Sequence, residues 1–437
     1  MRIAFFSPLP PTRSGIAGYS VSVLRSLRGA HEITLFTDPV VVGSHPLVGL
    51  FPTYTYADFD RVAAGAPFDL CVYQMGNHVI HKEIWQRAIQ TPGLVVLHEL
   101  VLHDLIYMST VAEGNAAAYV DEMAYCYGQT GRVMAERRLR GELEVSHTDY
   151  PLCDRLIHTA AGILAHSWYV VDRVRQIRPE LPTYVVPLPF DDEEQGAERV
   201  SRASLGLPEE GVVFGSFGFV APHKRIHVAL DAFKRLLADC PDAYFVIVGE
   251  PLVDVQSMVR ERGLQNHVQI AGYADSRTFA RYLHAVDVCV NLRYPTAGET
   301  SAALIRILGE GVPAIVSDVG AFQELPDDVC FRVPVGDREV DLLHKYMKRL
   351  ALDQSLRRAM AARGVEYIQS NCTIAHTAEG YLSAFRGVSY WQAVGQLEER
   401  LVNRVAERLV DVGLSAADSG VVREIARSLG SLRIAGQ

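Results

Sequence analysis

The sequence predicts an α/β protein of two successive parallel-sheet halves followed by a helical C-terminal stretch. Short apolar, β-branched runs alternate with amphipathic segments along most of the chain. The runs are near-continuously apolar, as strands covered by helices on both faces must be. The alternation halts at an extended, proline-interrupted segment, YVVPLPF at 184–190, passes through acidic DDEEQGAER, and then restarts.

In the first half, strands are expected at 2–6, 32–36, 70–73, 94–98 and 162–166. The loop PLPPTRSGIAGYS follows the first of them and leads into a helix, with Ser14, Gly15, Ala17 and Gly18 at its start. Free N–H groups at such a helix start suit an anion, and a tight turn fits the same residues equally well. In the second half, strands are expected at 212–217, 244–248, 268–270, 286–291 and 314–317, with helices over 226–237 and 301–308. Two Rossmann-like domains follow, 1–187 and 188–372, with ligands expected in the cleft at the carboxyl ends of their strands. Residues 373–437 are expected to be helical and to cross back in part to the first domain. There Leu397, Leu401, Val405 and Leu409 recur at helical spacing, which fits a core-packing helix or a partner-binding one.

A chain of 437 residues exceeds one ordinary domain at ~150 residues each. An apolar fraction of 49% with 21% charged residues fits a globular chain and excludes extended disorder. A net charge of −9 gives nonspecific nucleic-acid binding no electrostatic support, so a phosphate pocket must be built locally. No run reaches the ~18–20 apolar residues that a membrane span needs, and MRIAFFSPLPP reads as a strand rather than a leader. Seven scattered cysteines (71, 126, 153, 240, 289, 330, 372) without CxxC read as reduced thiols of a cytoplasmic protein, not as metal ligands.

Two segments carry most of the chemistry. In GSFGFVAPHKRIHVALDAF, Lys224 and Arg225 follow a strand end, where a point charge and a planar fork can neutralise a diphosphate; solvated helix-start charges are the alternative. In NLRYPTAGETSAALIRILGEGVPAIVSDVGAFQELPD, Thr300 or Ser301 caps a helix whose amides suit a phosphate. The Glu299 carboxylate beside them can accept hydrogen bonds from sugar hydroxyls, or simply complement the helix dipole. Neither GSFGFV nor the Gly15 loop has the GxGxxG spacing of a dinucleotide dehydrogenase. The run LHELVLHDL holds His98, Glu99, His103 and Asp104, but histidines five apart share a helix face poorly, so no metal site is expected. His103 is assigned a structural role, and His78, His81, His158 and His166 default to packing or surface. Residues 105–150 are expected on the acceptor side: Tyr107, Tyr119, Tyr125 and Tyr127 can stack on sugars, and the arginines of RVMAERRLR admit a peripheral contact with an anionic membrane. Interleaved Glu136, Glu142 and Glu144 equally fit a plain solvated helix.

In this order and spacing, the glycine loop, the strand ending at His98, the VVPLP crossover, Lys224 with its helix, VIVGE, VQIAGY and GETS…GEGVPAIVSDVGAFQEL resemble the family 4 glycosyltransferases. The resemblance covers most of residues 1 to 385 and implies GT-B architecture, two Rossmann-like domains facing across a cleft. It implies a retaining, metal-independent transfer, without any cofactor, from a nucleoside-diphosphate sugar, UDP-linked by family precedent, to a hydroxyl acceptor that the sequence does not identify. Carried over by position, Lys224 contacts the diphosphate with Arg225 assisting. Gly272 and Tyr273 hold the nucleobase, Glu299 the sugar, and Thr300, Ser301 and Ala302 grip phosphate or sugar. Gly15 and Ile16 close over the diphosphate, and His98 lies near the anomeric centre, so that His98, Glu299 and Lys224 are the catalytic candidates.

Two departures from the family pattern stand out. Its second glutamate, eight positions after the first, is replaced by Ile307, or by Arg306 if the count starts from GEGVP, and neither accepts hydrogen bonds from ribose hydroxyls. Phe219 stands where many relatives carry a phosphate-binding arginine, and Arg225 or Arg306 is expected to compensate. Two other readings remain: a noncatalytic nucleotide- or sugar-binding partner subunit, for which the C-terminal helices offer an oligomeric contact, and a nucleotide-sugar epimerase on the same fold.

Overall fold

Near-continuous apolar runs become the strands of two parallel sheets in the computed structural model, which describes residues 1–12, 14–42, 46–190 and 200–411. The first sheet contains β1 (Arg2–Phe6), β2 (Glu32–Thr37), β3 (Thr53–Thr55), β4 (Leu70–Met75), β5 (Leu94–Leu97), β6 (Gly162–Ala165) and β7 (Thr183–Val185), in the order β3-β2-β1-β4-β5-β6-β7. The second contains β8 (Val213–Phe217), β9 (Tyr244–Val248), β10 (Val268–Gly272), β11 (Val288–Asn291), β12 (Ala314–Ser317) and β13 (Cys330–Val333), in the order β10-β9-β8-β11-β12-β13. The strand order reverses between β1 and β4 in one sheet and between β8 and β11 in the other. Loops part to either side at such a point and leave a crevice at the strand ends.

Around the first sheet lie α1 (Gly15–Ser26), α2 (Phe59–Gly65), α3 (Lys82–Gln90), α4 (His103–Thr110), α5 (Ala116–Leu139), α6 (Asp154–Thr159) and α7 (Trp168–Ile177). Around the second lie α8 (Ile226–Leu236), α9 (Val255–Glu261), α10 (Ser276–Ala285), α11 (Ala302–Gly309), α12 (Glu339–Leu352) and α13 (Gln354–Asn371), and then comes α14 (Ile374–Asp411). Each sheet buries its own aromatic cluster, Phe6, Phe36 and Tyr73 in one and Phe214, Phe233 and Phe245 in the other. β3, β7 and β13 were not among the expected strands. All three are short edge strands, and TYT and TYV are only half-buried, so neither shows the apolar run that marks a central strand.

Backbone hydrogen bonds join the halves directly. The Ala297 carbonyl accepts from Leu100 N at 2.7 Å and Val101 N at 3.1 Å. The Glu324 carboxylate accepts from Trp168 N at 3.0 Å and Tyr169 N at 2.7 Å, at the first turn of α7, where free amides favour an anion. Two chain crossings run side by side: Phe190 N donates to Cys372 O at 2.6 Å, and Thr377 Oγ1 to Pro187 O at 3.1 Å. The start of α14 thus returns to the first half, where Tyr381 meets Tyr19 and Gln74.

From Phe385 onward the chain forms a separate unit. There Leu397 and Leu401 are 63% and 44% exposed, so the expected core-packing stripe faces solvent at both positions; the side chains of Val405 and Leu409 lie outside the described set. Among the described residues, no helix is long and apolar enough to cross a membrane.

Gly298 sits at φ +85°, and a Cβ there would stand 2.8 Å from Leu100 Cβ. Gly298→Ala combines left-handed strain with overlap at the junction and is expected to cost about 2 kcal/mol or more, read as a lowered urea midpoint.

Candidate active site

A cleft of ≈ 800 Å³ lies where the carboxyl ends of the two sheets meet. On the first half's side it is lined by Gly15, Ile16 and Tyr19 after β1, Gly76 and Asn77 after β4, His98 and Glu99 after β5, and His166 after β6. Glu299, Thr300, Ala302 and Arg306 line it from the segment after β11. A Cβ on Gly76 would fall 2.5 Å from Ile16 Cδ1, so glycine is what lets the loop after β1 close over this wall.

His98, placed from sequence at a strand end, belongs to a buried hydrogen-bonded chain. Its Nδ1 lies 3.1 Å from His166 Nε2, and His166 Nδ1 lies 2.7 Å from the Val186 carbonyl. Its Nε2 lies 2.8 Å from Gln74 Oε1, Gln74 Nε2 lies 3.0 Å from Tyr381 Oη, and Tyr19 donates to Tyr381 at 2.9 Å. Proton accounting fixes the chain. The Val186 carbonyl takes the N–H of His166, so His166 Nε2 accepts and His98 Nδ1 donates. An N–H at His98 Nε2 as well would make that ring cationic, whereas turning the isosteric Gln74 amide supplies an N–H to it and an oxygen to Tyr381. Burial selects the neutral arrangement. It drives His98 well below the usual histidine range, helped by His166 and His81, and takes His166 to about 4 against the opposing Val186 carbonyl. Both His98 nitrogens are therefore engaged, and the ring presents a fixed wall rather than a proton shuttle.

Glu299 is also held. Oε1 lies 2.5 Å from Arg293 Nη1, and Oε2 accepts from Ala297 N at 2.8 Å and Thr296 Oγ1 at 3.3 Å. Ser301 caps α11, its Oγ accepting from Leu304 N at 3.2 Å, while Thr300 and Ala302 line the cleft. Lys224 stands after β8, its Nζ over Gly218. Burial, reinforced by the charge of Arg293 and opposed by Glu299, pushes its ammonium down to about 7. Gly272 ends the edge strand β10 and Tyr273, 64% exposed, follows it; neither is on the cleft wall.

Several expectations change. Arg225 turns away from the cleft: Nε donates to Glu339 Oε1 at 2.9 Å and Nη2 pairs with the other oxygen, which gives the buried Glu339 its counter-charge. Arg306 lines the cleft with its guanidinium bound to Ser276, Nη1 to Oγ at 2.9 Å and Nη2 to the carbonyl at 3.1 Å. The tyrosines of 105–150 do not line the cleft. Tyr119 is buried against Tyr107 and His103, Arg138 stacks 4.2 Å over Tyr107, and Tyr127 accepts from Leu152 N, so these three tyrosines form a core of their own, whereas Tyr125 is 44% exposed beneath Arg155. His103 keeps the structural role assigned to it, 2.6 Å from the Tyr150 carbonyl.

Two cleft residues, His166 and Glu99, and Arg293 beside Glu299 escaped the sequence reading as functional groups. His166 had a signal, because Leu97 pairs with Ala165 and the next residue of each parallel strand is a histidine. Glu99 lines the cleft and accepts from Asn77 N at 2.7 Å; burial, with Glu299 and Asp104 adding, raises its carboxyl to about 7. Arg293, 6% exposed, had no signal beyond its place in NLRYP. Removing the partner of a buried carboxylate is costly, so Arg225→Ala is expected to lose about 3–5 kcal/mol of stability, measured by chemical denaturation.

Residues 198–366 match the family model described as Glycosyl transferases group 1. A D-inositol 3-phosphate glycosyltransferase from Jonesia denitrificans is 28% identical over 350 residues, covering 72% of this chain and 78% of that protein. Among solved structures, a sucrose-phosphate synthase from Thermosynechococcus elongatus superposes with a TM-score of 0.61 at 17% identity, covering 92% of this chain and 99% of that one. HepE of Anabaena, in complex with UDP and glucose, superposes with a TM-score of 0.61 at 15% identity, covering 89% and 100%. At such identities the structural likeness is one of fold, the GT-B arrangement of two parallel-sheet α/β domains. The part of this chain after the crossover carries a glycosyl transferases group 1 domain.

Proposed function

We propose that this protein is a retaining, metal-independent hexosyltransferase that moves a sugar from a UDP-sugar to a hydroxyl acceptor in glycan, glycolipid or natural-product biosynthesis. The observation that carries the reading is that the group 1 match falls on the half whose strand ends supply Glu299, Thr300 and Ala302 to the cleft. The complex of HepE with UDP and glucose supports the choice of donor.

In this reading, departure of the nucleoside diphosphate leaves negative charge that Lys224 and the first amides of α11 stabilise as preorganised donors. Cationic side chains supply there what a metal ion would. Glu299 positions the sugar through its hydroxyls, and His98, with both nitrogens bound, shapes the wall beside the anomeric carbon. The acceptor proton passes to the leaving phosphate in a same-face attack. Glu99, across the cleft from the donor residues, takes a hydrogen bond from the acceptor hydroxyl. The reading places the chain in the cytoplasm, where its seven unpaired thiols remain reduced.

The test is turnover of the full chain with UDP-glucose, UDP-N-acetylglucosamine and GDP-mannose against a panel of sugar and polyol acceptors, with EDTA present. Expected are released nucleoside diphosphate and an α-linked product, with turnover lowered about 10- to 100-fold by Glu299→Gln. Nucleotide binding without transfer or donor hydrolysis would favour the noncatalytic reading, and an epimerised donor the epimerase.

Lys224 adds a pH signature. Its ammonium sits at about 7 in the protein alone, and a bound diphosphate raises it. Below pH 7 the charge is already present. Above it, binding must take up a proton, so affinity for UDP-glucose falls by up to about tenfold per pH unit. Calorimetry at pH 8 in two buffers of different ionisation enthalpy should register this uptake, and Lys224→Met should abolish it.

A further inference from the structure

We propose that Arg293 is a hand-off residue: it holds Glu299 as seen here, and its guanidinium turns to the diphosphate of a sugar nucleotide, which releases Glu299 Oε1 to a sugar hydroxyl. The inference rests on the glycosyltransferase reading for its ligand, but its anion-binding part stands on geometry alone.

Arg293 follows β11, beside the crevice between β8 and β11. Its backbone N–H donates to Ser317 Oγ at 2.8 Å, and the next residue, Tyr294, donates its N–H to the His223 carbonyl at 2.8 Å, which ties this loop to the one bearing Lys224. The side chain is 8% exposed. Nη1 makes a charge contact with Glu299 Oε1 at 2.5 Å, but its N–H is not aligned on that oxygen. Neither Nη1 nor Nε has a hydrogen-bond partner among the described residues. Leaving a buried donor unmade costs ~1–3 kcal/mol and more when it is charged, so such groups in a native protein call for a partner that arrives later.

The surroundings identify that partner. Arg293 depresses both Lys224 and His223 electrostatically, while Glu299 acts on each in the opposite sense. Arg293, a permanent cation, and Lys224, which a bound anion would hold charged, thus share one carboxylate, and the remaining deficit is one of negative charge. A planar fork with free N–H groups matches phosphate oxygens, and with Lys224 it spans a diphosphate. Arg293 therefore takes the part expected of an arginine at Phe219, which Arg225 and Arg306 do not fill because Glu339 and Ser276 engage them. Glu299 has Thr296 and Ala297 on Oε2, so only Oε1 changes partner. Sugar recognition becomes conditional on the diphosphate being seated.

Calorimetric titration of the full chain with inorganic pyrophosphate, inorganic phosphate and UDP tests this. Pyrophosphate and UDP are expected to bind, with Arg293→Gln weakening both at least tenfold. Glu299→Gln, which removes the competing charge, is expected to tighten pyrophosphate several-fold while slowing sugar transfer. Unchanged pyrophosphate affinity in Arg293→Gln, weaker binding in Glu299→Gln, or phosphate binding as tightly as pyrophosphate would each overturn the hand-off. Should Arg293→Gln fail to fold, the sign of the Glu299→Gln effect decides alone. Pyrophosphate bound through Arg293 without any sugar transfer would sink the enzyme reading and leave the anion site standing. Transfer with an indifferent Arg293 would do the reverse.

Discussion

The Ala297 carbonyl, accepting from both Leu100 N and Val101 N, is the contact on which the arrangement of the site depends. A parallel sheet delivers its chemistry-bearing loops to one edge only, so a two-sheet protein gains a joint site only when those edges meet. This shared carbonyl brings the segment after β5 against the segment after β11. Glu99 and Glu299 thereby feel each other's charge, and Thr300 Oγ1 comes 3.4 Å from the His166 carbonyl. The glycine at 298 follows from the same contact, because a side chain there would occupy the space of Leu100.

Two arginines in the second half show how burial separates structural from reactive charge. Arg225 and Glu339 satisfy each other through two hydrogen bonds, and a pair so matched has little left to offer a ligand. Arg293 is more deeply hidden, its side chain 8% exposed against 19% for Arg225, but it touches its carboxylate through one misaligned nitrogen, with two donors idle. Desolvation makes both pairs expensive to break. Only the second keeps hydrogen-bonding capacity in reserve, and it sits beside a lysine that burial already holds near neutrality.

Much of this was legible in the sequence, for physical reasons that differ by element. Central strands such as β1, β9 and β12 announce themselves because helices cover both faces, whereas β3, β7 and β13 lie at sheet edges and carry mixed residues. Gly15, Ile16, His98, Glu299, Thr300 and Ala302 could be placed at strand ends and helix starts, and all line one cleft. Which way a long side chain points is not a local property. Arg225 is claimed by a glutamate 114 positions later, and Tyr119 by a ring and an arginine that meet it only after α5 has folded. Arg293 acquires meaning only once β8 and β11 are neighbours, which no local pattern encodes.

The side-by-side crossings also dictate how the halves can move. The outgoing chain at Phe190 and the returning chain at Cys372 are hydrogen-bonded to each other, and the return continues into Tyr381, which the first half grips through Tyr19 and Gln74. Two connections joined at one place behave as the pins of a single hinge. Swinging one sheet about that line would leave the Phe190–Cys372 bond intact and break the Ala297 contacts with Leu100 and Val101, so the cost of any opening falls at the strand ends that carry the site.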